Sequence, residues 1–164
     1  MKKVKLPTFG FLLAVFVIAL DQLSKSILLA LFHPATGKPP TEITLAPFFD
    51  LVLVWNRGVS FGIFNHDNSV MPLALIGLAL ILVILVAYWL TRAETWGEAA
   101  AFGLIIGGAI GNVIDRARLG AVVDFLDFHW DVHHWPAFNL ADSCIVLGAC
   151  LILYLWGVKG KTAE

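Results

Sequence analysis

Four apolar runs, spanning residues 6–32, 70–90, 99–115 and 139–158, constrain this chain more than any other feature. Each approaches or exceeds the roughly 20 residues that a helix needs to cross a bilayer. Within each run the apolar residues follow one another instead of recurring at the 3.6- or 2-residue periods that bury one face of a soluble element. A helix apolar all round needs lipid or protein on every side. Composition agrees: 59% of the 164 residues are apolar, 14% are charged and the mean hydropathy is +0.85, whereas soluble domains carry about a quarter charged residues. The expected fold is an all-α membrane protein, a single integral domain of four transmembrane helices.

Two long polar-apolar stretches, 33–68 and 116–138, separate the first span from the second and the third from the fourth. With four spans both termini lie on one side. Lys2, Lys3, Lys5, Arg92, Lys159 and Lys161 fall in the tails and the short 91–98 link, against Lys38, Arg57 and Arg118 in the long loops. The positive-inside rule then makes the termini cytoplasmic and the long loops external. Trp55, Trp130 and Trp135 suit one interfacial aromatic belt, and Tyr88, Trp89, Trp96, Tyr154 and Trp156 the other. The N-terminal lysines and apolar run 9–20 also have the form of a cleavable signal peptide. Apolar character resumes at 27–32, however, and a retained helix is the preferred reading. In the first long loop, Val and Phe recur through 43–55, as expected of a small extracytoplasmic β element. Segment 122–134 alternates less cleanly and reads as a re-entrant or interfacial piece.

The net charge of −1 supplies no basic stripe, so a nucleic-acid partner is not expected. Cys144 and Cys150 are six apart on one helical run and point to different sides, so they read as small packing residues. No metal or other cofactor is expected. His129 and His133 with Asp127 or Asp131 make only a loose ligand set without an HExxH motif. Gly58-Val59-Ser60-Phe61 is not a nucleophile elbow, and adjacent Ser24 and Lys25 diverge around a helix.

Ionisable residues within the spans carry more information, since each costs on the order of 2.5–3.5 kcal/mol at mid-membrane. Asp21 and Lys25 are i, i+4 and can pair. Gly103, Gly107 and Gly111 form a small-residue face for close helix packing. That helix delivers Asn112, Asp115 and Arg116 to its external end. Asp124 and Asp142 belong to the same interface. Two carboxylates close together in an apolar site share one proton, one acting as base and the other as acid, an arrangement that activates water for peptide hydrolysis. Asp115, Asp127 and Asp131 are further candidates on that side, and Asp142 also suits the first turn of a helix.

The blocks Asp21-Gln22-Leu23-Ser24-Lys25, Asn56-Arg57-Gly58-Val59-Ser60-Phe61-Gly62, Gly107-Gly108-Ala109-Ile110-Gly111-Asn112-Val113-Ile114-Asp115-Arg116, Gly120-Ala121-Val122-Val123-Asp124-Phe125 and Phe138-Asn139-Leu140-Ala141-Asp142 occur in this order. Together they resemble the lipoprotein signal peptidase (signal peptidase II) family of membrane aspartic peptidases, nearly end to end. Val59 stands where that family usually has a smaller residue. The resemblance implies that Asp124 and Asp142 are catalytic, and that Asn56, Arg57, Asn112, Asp115, Arg116 and Asn139 surround or order the site. It implies that Asp21 and Lys25 support the site from the first helix. It further implies a bacterial inner-membrane location, prolipoprotein substrates whose Cys carries diacylglycerol, contact with membrane lipids and inhibition by globomycin-type peptides. The rival readings are a non-enzymatic membrane assembly protein and a small ion carrier.

Overall fold

The computed structural model describes residues 2–33, 37–58 and 70–161. Four long helices form: α1 (Lys2–Phe32), α2 (Val70–Thr91), α3 (Trp96–Leu119) and α4 (Leu140–Lys161). All four contain segments long and apolar enough to cross a membrane. The exposed side chains of Leu73, Ile81, Ile84 and Leu153, each between 65% and 70% accessible, are what a lipid-facing surface requires.

α3 is the central helix. In its most apolar window 61% of residues are buried, against 28%, 11% and 17% in α1, α2 and α4. Its glycines explain how. A Cβ on Gly103 would lie 2.5 Å from the carbonyl oxygen of Gly10, and one on Gly107 would lie 2.8 Å from that of Ala14, so α1 packs backbone to backbone along this face. Gly108 meets the Ala141 carbonyl of α4 in the same way, and Gly148 of α4 meets Ala101. α3 starts earlier than the apolar run suggests, because Thr95 and Glu98 form a capping box: Glu98 N donates to Thr95 Oγ1 (3.1 Å) and Thr95 N donates to Glu98 Oε2 (3.2 Å). It ends at Gly120, whose φ of 72° is the left-handed conformation of a helix stop.

Beyond that end lies an antiparallel sheet in the order β1 (Glu42–Ala46), β2 (Phe49–Asn56), β3 (Val122–Trp130), β4 (His133–His134). The expected small β element is present, and segment 122–134, read from sequence as re-entrant or interfacial, is a hairpin of that sheet. The alternation is hard to see because Val122, Val123, Asp124 and Phe125 are all buried, on both faces of the strand. Phe125 packs with Leu28 and Phe32, seating the sheet on the end of α1. Cys144 is buried and Cys150 exposed, and neither is in a disulfide.

Candidate active site

The polar cluster forms where the C-terminal part of α3, the first turn of α4, the middle of α1 and the paired ends of β2 and β3 converge. It has two layers. In the deeper one Lys25 Nζ lies 2.8 Å from Asp21 Oδ2 and 2.8 Å from Asp115 Oδ2, with all three residues at most 3% exposed. The expected Asp21–Lys25 pair therefore exists and extends to α3. Asp21 Oδ1 accepts from the backbone N–H of Ala141 at 3.0 Å, and Asp115 Oδ2 from that of Val123 at 3.2 Å. One lysine with two acids thus ties α1 to α3, to the start of α4 and to β3. Removing one partner from such a buried set leaves an uncompensated charge, which costs several kcal/mol.

In the upper layer three asparagines hold two carboxylates. Asn139 Nδ2 donates to Asp124 Oδ1 at 2.6 Å, and Asn56 Nδ2 donates to Asp124 Oδ2 at 2.9 Å. Asn112 Nδ2 donates to Asp142 Oδ1 at 2.7 Å, and the backbone N–H of Asn139 donates to Asp142 Oδ2 at 3.3 Å. The orientation of each amide is dictated by a donor on its other side. Lys25 Nζ donates to Asn112 Oδ1 (3.1 Å), Gly58 N to Asn56 Oδ1 (2.9 Å) and Asp142 N to Asn139 Oδ1 (2.9 Å). Because an ammonium or a backbone N–H can only donate, each amide must turn its NH₂ toward a carboxylate. Asn139 and Asp142 also cap α4 reciprocally, so the early-turn reading of Asp142 and a place in the site hold together.

Asp124 is 1% exposed. Burial, opposed by the Asn56 bond and reinforced by the charge of Asp142, pushes its pKa from the ordinary 3.8 up to about 6. The two acids are therefore coupled electrically and share the bridging amide residue Asn139. Arg116 donates from Nη1 to the Asn112 carbonyl (3.5 Å), and its charge interacts with Asp142, Asp124 and Asp115. Its Nε is buried without a hydrogen-bond partner among the described residues.

Of the other candidates, Asp115 is committed to Lys25. Asp127 pairs with His134, and Asp131 occupies the β3–β4 turn with φ 54°. Arg57 is exposed beside Asn56. His129 and His133 sit on different strands, so the loose i, i+4 ligand pair does not form. Val59, Ser60, Phe61 and Gly62 lie outside the described residues. Gln22, which follows Asp21 in the first motif block, donates to Asp115 Oδ1 at 2.8 Å and accepts from Arg118 Nη1 at 3.3 Å. Its position beside Asp21 on a span was the available signal.

The chain is similar to known proteins over most of its length. The family model described as signal peptidase (SPase) II matches residues 13–157. A lipoprotein signal peptidase of Aeromonas hydrophila is 46% identical over 144 residues, covering 86% of this chain and 83% of that protein. One of Nitrobacter hamburgensis is 43% identical over 149 residues, covering 88% and 89%. A bacterial membrane enzyme solved by the in meso method at 2.3 Å superposes with a TM-score of 0.75 at 28% identity, covering 94% of this chain and 91% of that one. With nearly the whole sequence matched and the same four-helix architecture, the chain is a multi-pass membrane peptidase that belongs to the signal peptidase II family.

Proposed function

We propose that this chain removes signal peptides from prolipoproteins, with Asp124 and Asp142 as its catalytic pair. The observation that carries the assignment is the convergence of three oriented asparagine amides, from β2, α3 and the residue preceding α4, on these two carboxylates. The raised pKa of Asp124 suits it to hold the shared proton while Asp142 acts as base. Asp142 takes a proton from water as the oxygen adds to the scissile carbonyl carbon, and Asp124 gives its proton to the carbonyl oxygen. The resulting diol collapses: Asp142 gives its proton to the departing nitrogen as the C–N bond breaks, and a diol hydroxyl returns one to Asp124 as the carboxyl forms on the signal peptide. The other product is a lipid-anchored protein with a free N-terminal Cys.

The remaining site residues take supporting parts in this proposal. Asn56, Asn112 and Asn139 aim the carboxylates, and Lys25 with Asp21 and Asp115 holds Asn112 and the start of α4 in place. Arg116, whose charge interacts with Asp142, Asp124 and Asp115, and Arg57, exposed beside Asn56, help hold the incoming chain. The substrate Cys carries diacylglycerol, enters sideways from lipid and is competed by globomycin-type cyclic peptides. The protein resides in the bacterial inner membrane as one integral domain, termini in the cytoplasm and site near the external face. An ion carrier would need acidic or basic groups through the depth of its spans, whereas 71–91 has no Asp, Glu, His, Lys or Arg.

The test is cleavage of a diacylated prolipoprotein by purified protein in detergent or lipid. Asp124→Asn and Asp142→Asn each lose activity by roughly 10²–10⁴-fold. A variant that inserts normally and cleaves at the parental rate removes that residue from the pair.

A further inference from the structure

A second polar cluster lies on the sheet, away from the proposed pair. Asp127 and His129 are two residues apart on β3 and therefore share one face. The strand register places Asp50 opposite Asp127 and His134 opposite His129. His134 Nδ1 is 2.8 Å from Asp127 Oδ2, His129 Nε2 is 3.2 Å from Asp50 Oδ2, and the two imidazoles stack with centroids 5.0 Å apart. The His129 contact lies off the hydrogen-bond direction, so it is Coulombic in kind.

The charges do not balance when both imidazoles are neutral. Asp50 is 6% and Asp127 8% exposed, each has one oxygen without a hydrogen-bond partner, and neither has a lysine or arginine within ion-pair distance among the described residues. Like charges directly opposite on paired strands are destabilising, and burial sharpens the cost. The neighbours do not relieve it. β1 brings Thr44 opposite Asp50 and Glu42 two pairs further along, while α1 offers Leu28 and Phe32 to this sheet. Asp131 sits in the adjoining turn, and His133 lines with His129 and His134 an aromatic cleft of about 360 Å³ that gives protons access. With both imidazoles cationic, each carboxylate gains an opposite charge at 2.8–3.2 Å, and these two short attractions outweigh the added repulsion between rings whose centroids are 5.0 Å apart. Metal binding does not offer an equivalent solution: stacked, nearly parallel rings (22°) do not aim their nitrogens at one point, and no group of three ligands among the described residues is disposed to hold an ion.

We infer that Asp50, Asp127, His129 and His134 form a proton-operated clasp joining β2, β3 and β4, closed when the imidazoles are charged. The same ladder carries Asn56 and Asp124 at its other end, beyond a bulge between Leu51 and Val54.

Amide hydrogen exchange of the full chain in detergent tests this without reference to catalysis. Imidazoles as a class change charge between about pH 5 and 8, so exchange is compared at about pH 6 and about pH 8, after correction for the chemical rate. Segments 49–56 and 122–135 are expected to exchange roughly fivefold more slowly at the lower pH, with α3 unchanged. The difference disappears in the His129→Gln/His134→Gln double variant and persists in Asp124→Asn. Asp50→Asn with Asp127→Asn, which removes the repulsion, brings protection at the higher pH up to the level at the lower. Equal protection of the parent at both values overturns the clasp. So does a difference that survives the histidine substitutions, or one that vanishes in Asp124→Asn and so belongs to the other acids.

Discussion

At the scale of single residues, Asp124 is governed by two opposing influences: burial, which raises its proton affinity, and two amide donors, which favour its ionised form. Removing a donor shifts the balance in a known direction. In Asn56→Ala the carboxylate loses a hydrogen bond, so Asp124 holds its proton to higher pH and the alkaline limb of kcat/KM moves upward relative to the parent. Stability follows the same group. Between about pH 4 and 6 the native chain keeps a proton that the unfolded chain has lost, so stability falls as pH rises through that window, by on the order of 3 kcal/mol from this residue. Thermal midpoints in detergent across the window should decline less in Asp124→Asn than in the parent. Both acids stood out in the sequence as carboxyls at the edge of apolar runs, whereas the orientation of the three amides did not. It depends on donors that lie 87 residues away for Asn112 but only two and three away for Asn56 and Asn139.

Among the elements, α3 makes the sharpest prediction, since its packing depends on missing side chains. Gly103→Ala puts a methyl against the Gly10 backbone, which cannot rotate away as a side chain can, and is expected to cost about 1–3 kcal/mol. Gly77→Ala on α2, with nothing within 4 Å of the added carbon, should leave the thermal midpoint unchanged or slightly raised. Parallel melting of the two variants in detergent checks both. The glycine spacing was readable in advance, whereas the early start of the helix comes from the Thr95–Glu98 capping box, which lies outside the apolar run. β3 was not, because its last half inverts the usual pattern: Asp127 is buried while Phe128 is 42% and Trp130 83% exposed. Alternation identifies a strand only when its apolar side faces the core.

For the whole molecule, the exposed tryptophans and tyrosines group at two levels. Trp130 and Trp135 lie on the sheet, and Tyr88, Trp96 and Trp156 lie at the opposite helix ends. The proposed orientation predicts that, in a background without Cys144 and Cys150, Asp131→Cys reacts with a membrane-impermeant thiol reagent from outside the cytoplasmic membrane. Arg92→Cys, in the α2–α3 link, should react only after that membrane is opened. The reverse pattern would invert the topology and with it the side on which substrate is cut.

Sequence alone determined the number of spans, the candidate acids and the family resemblance, because bilayer thickness sets helix length and a charge in a span demands a reason. Tertiary structure decided which partners each acid meets. Asp115 and Asp127 are drawn off by Lys25 and His134, while Asp124 and Asp142, 18 residues apart on a strand and a helix, come under one set of amides. The physical reason is that partner choice among buried charges is a matter of distance and direction across elements. Those quantities exist only once α1, α3, α4 and the sheet have packed.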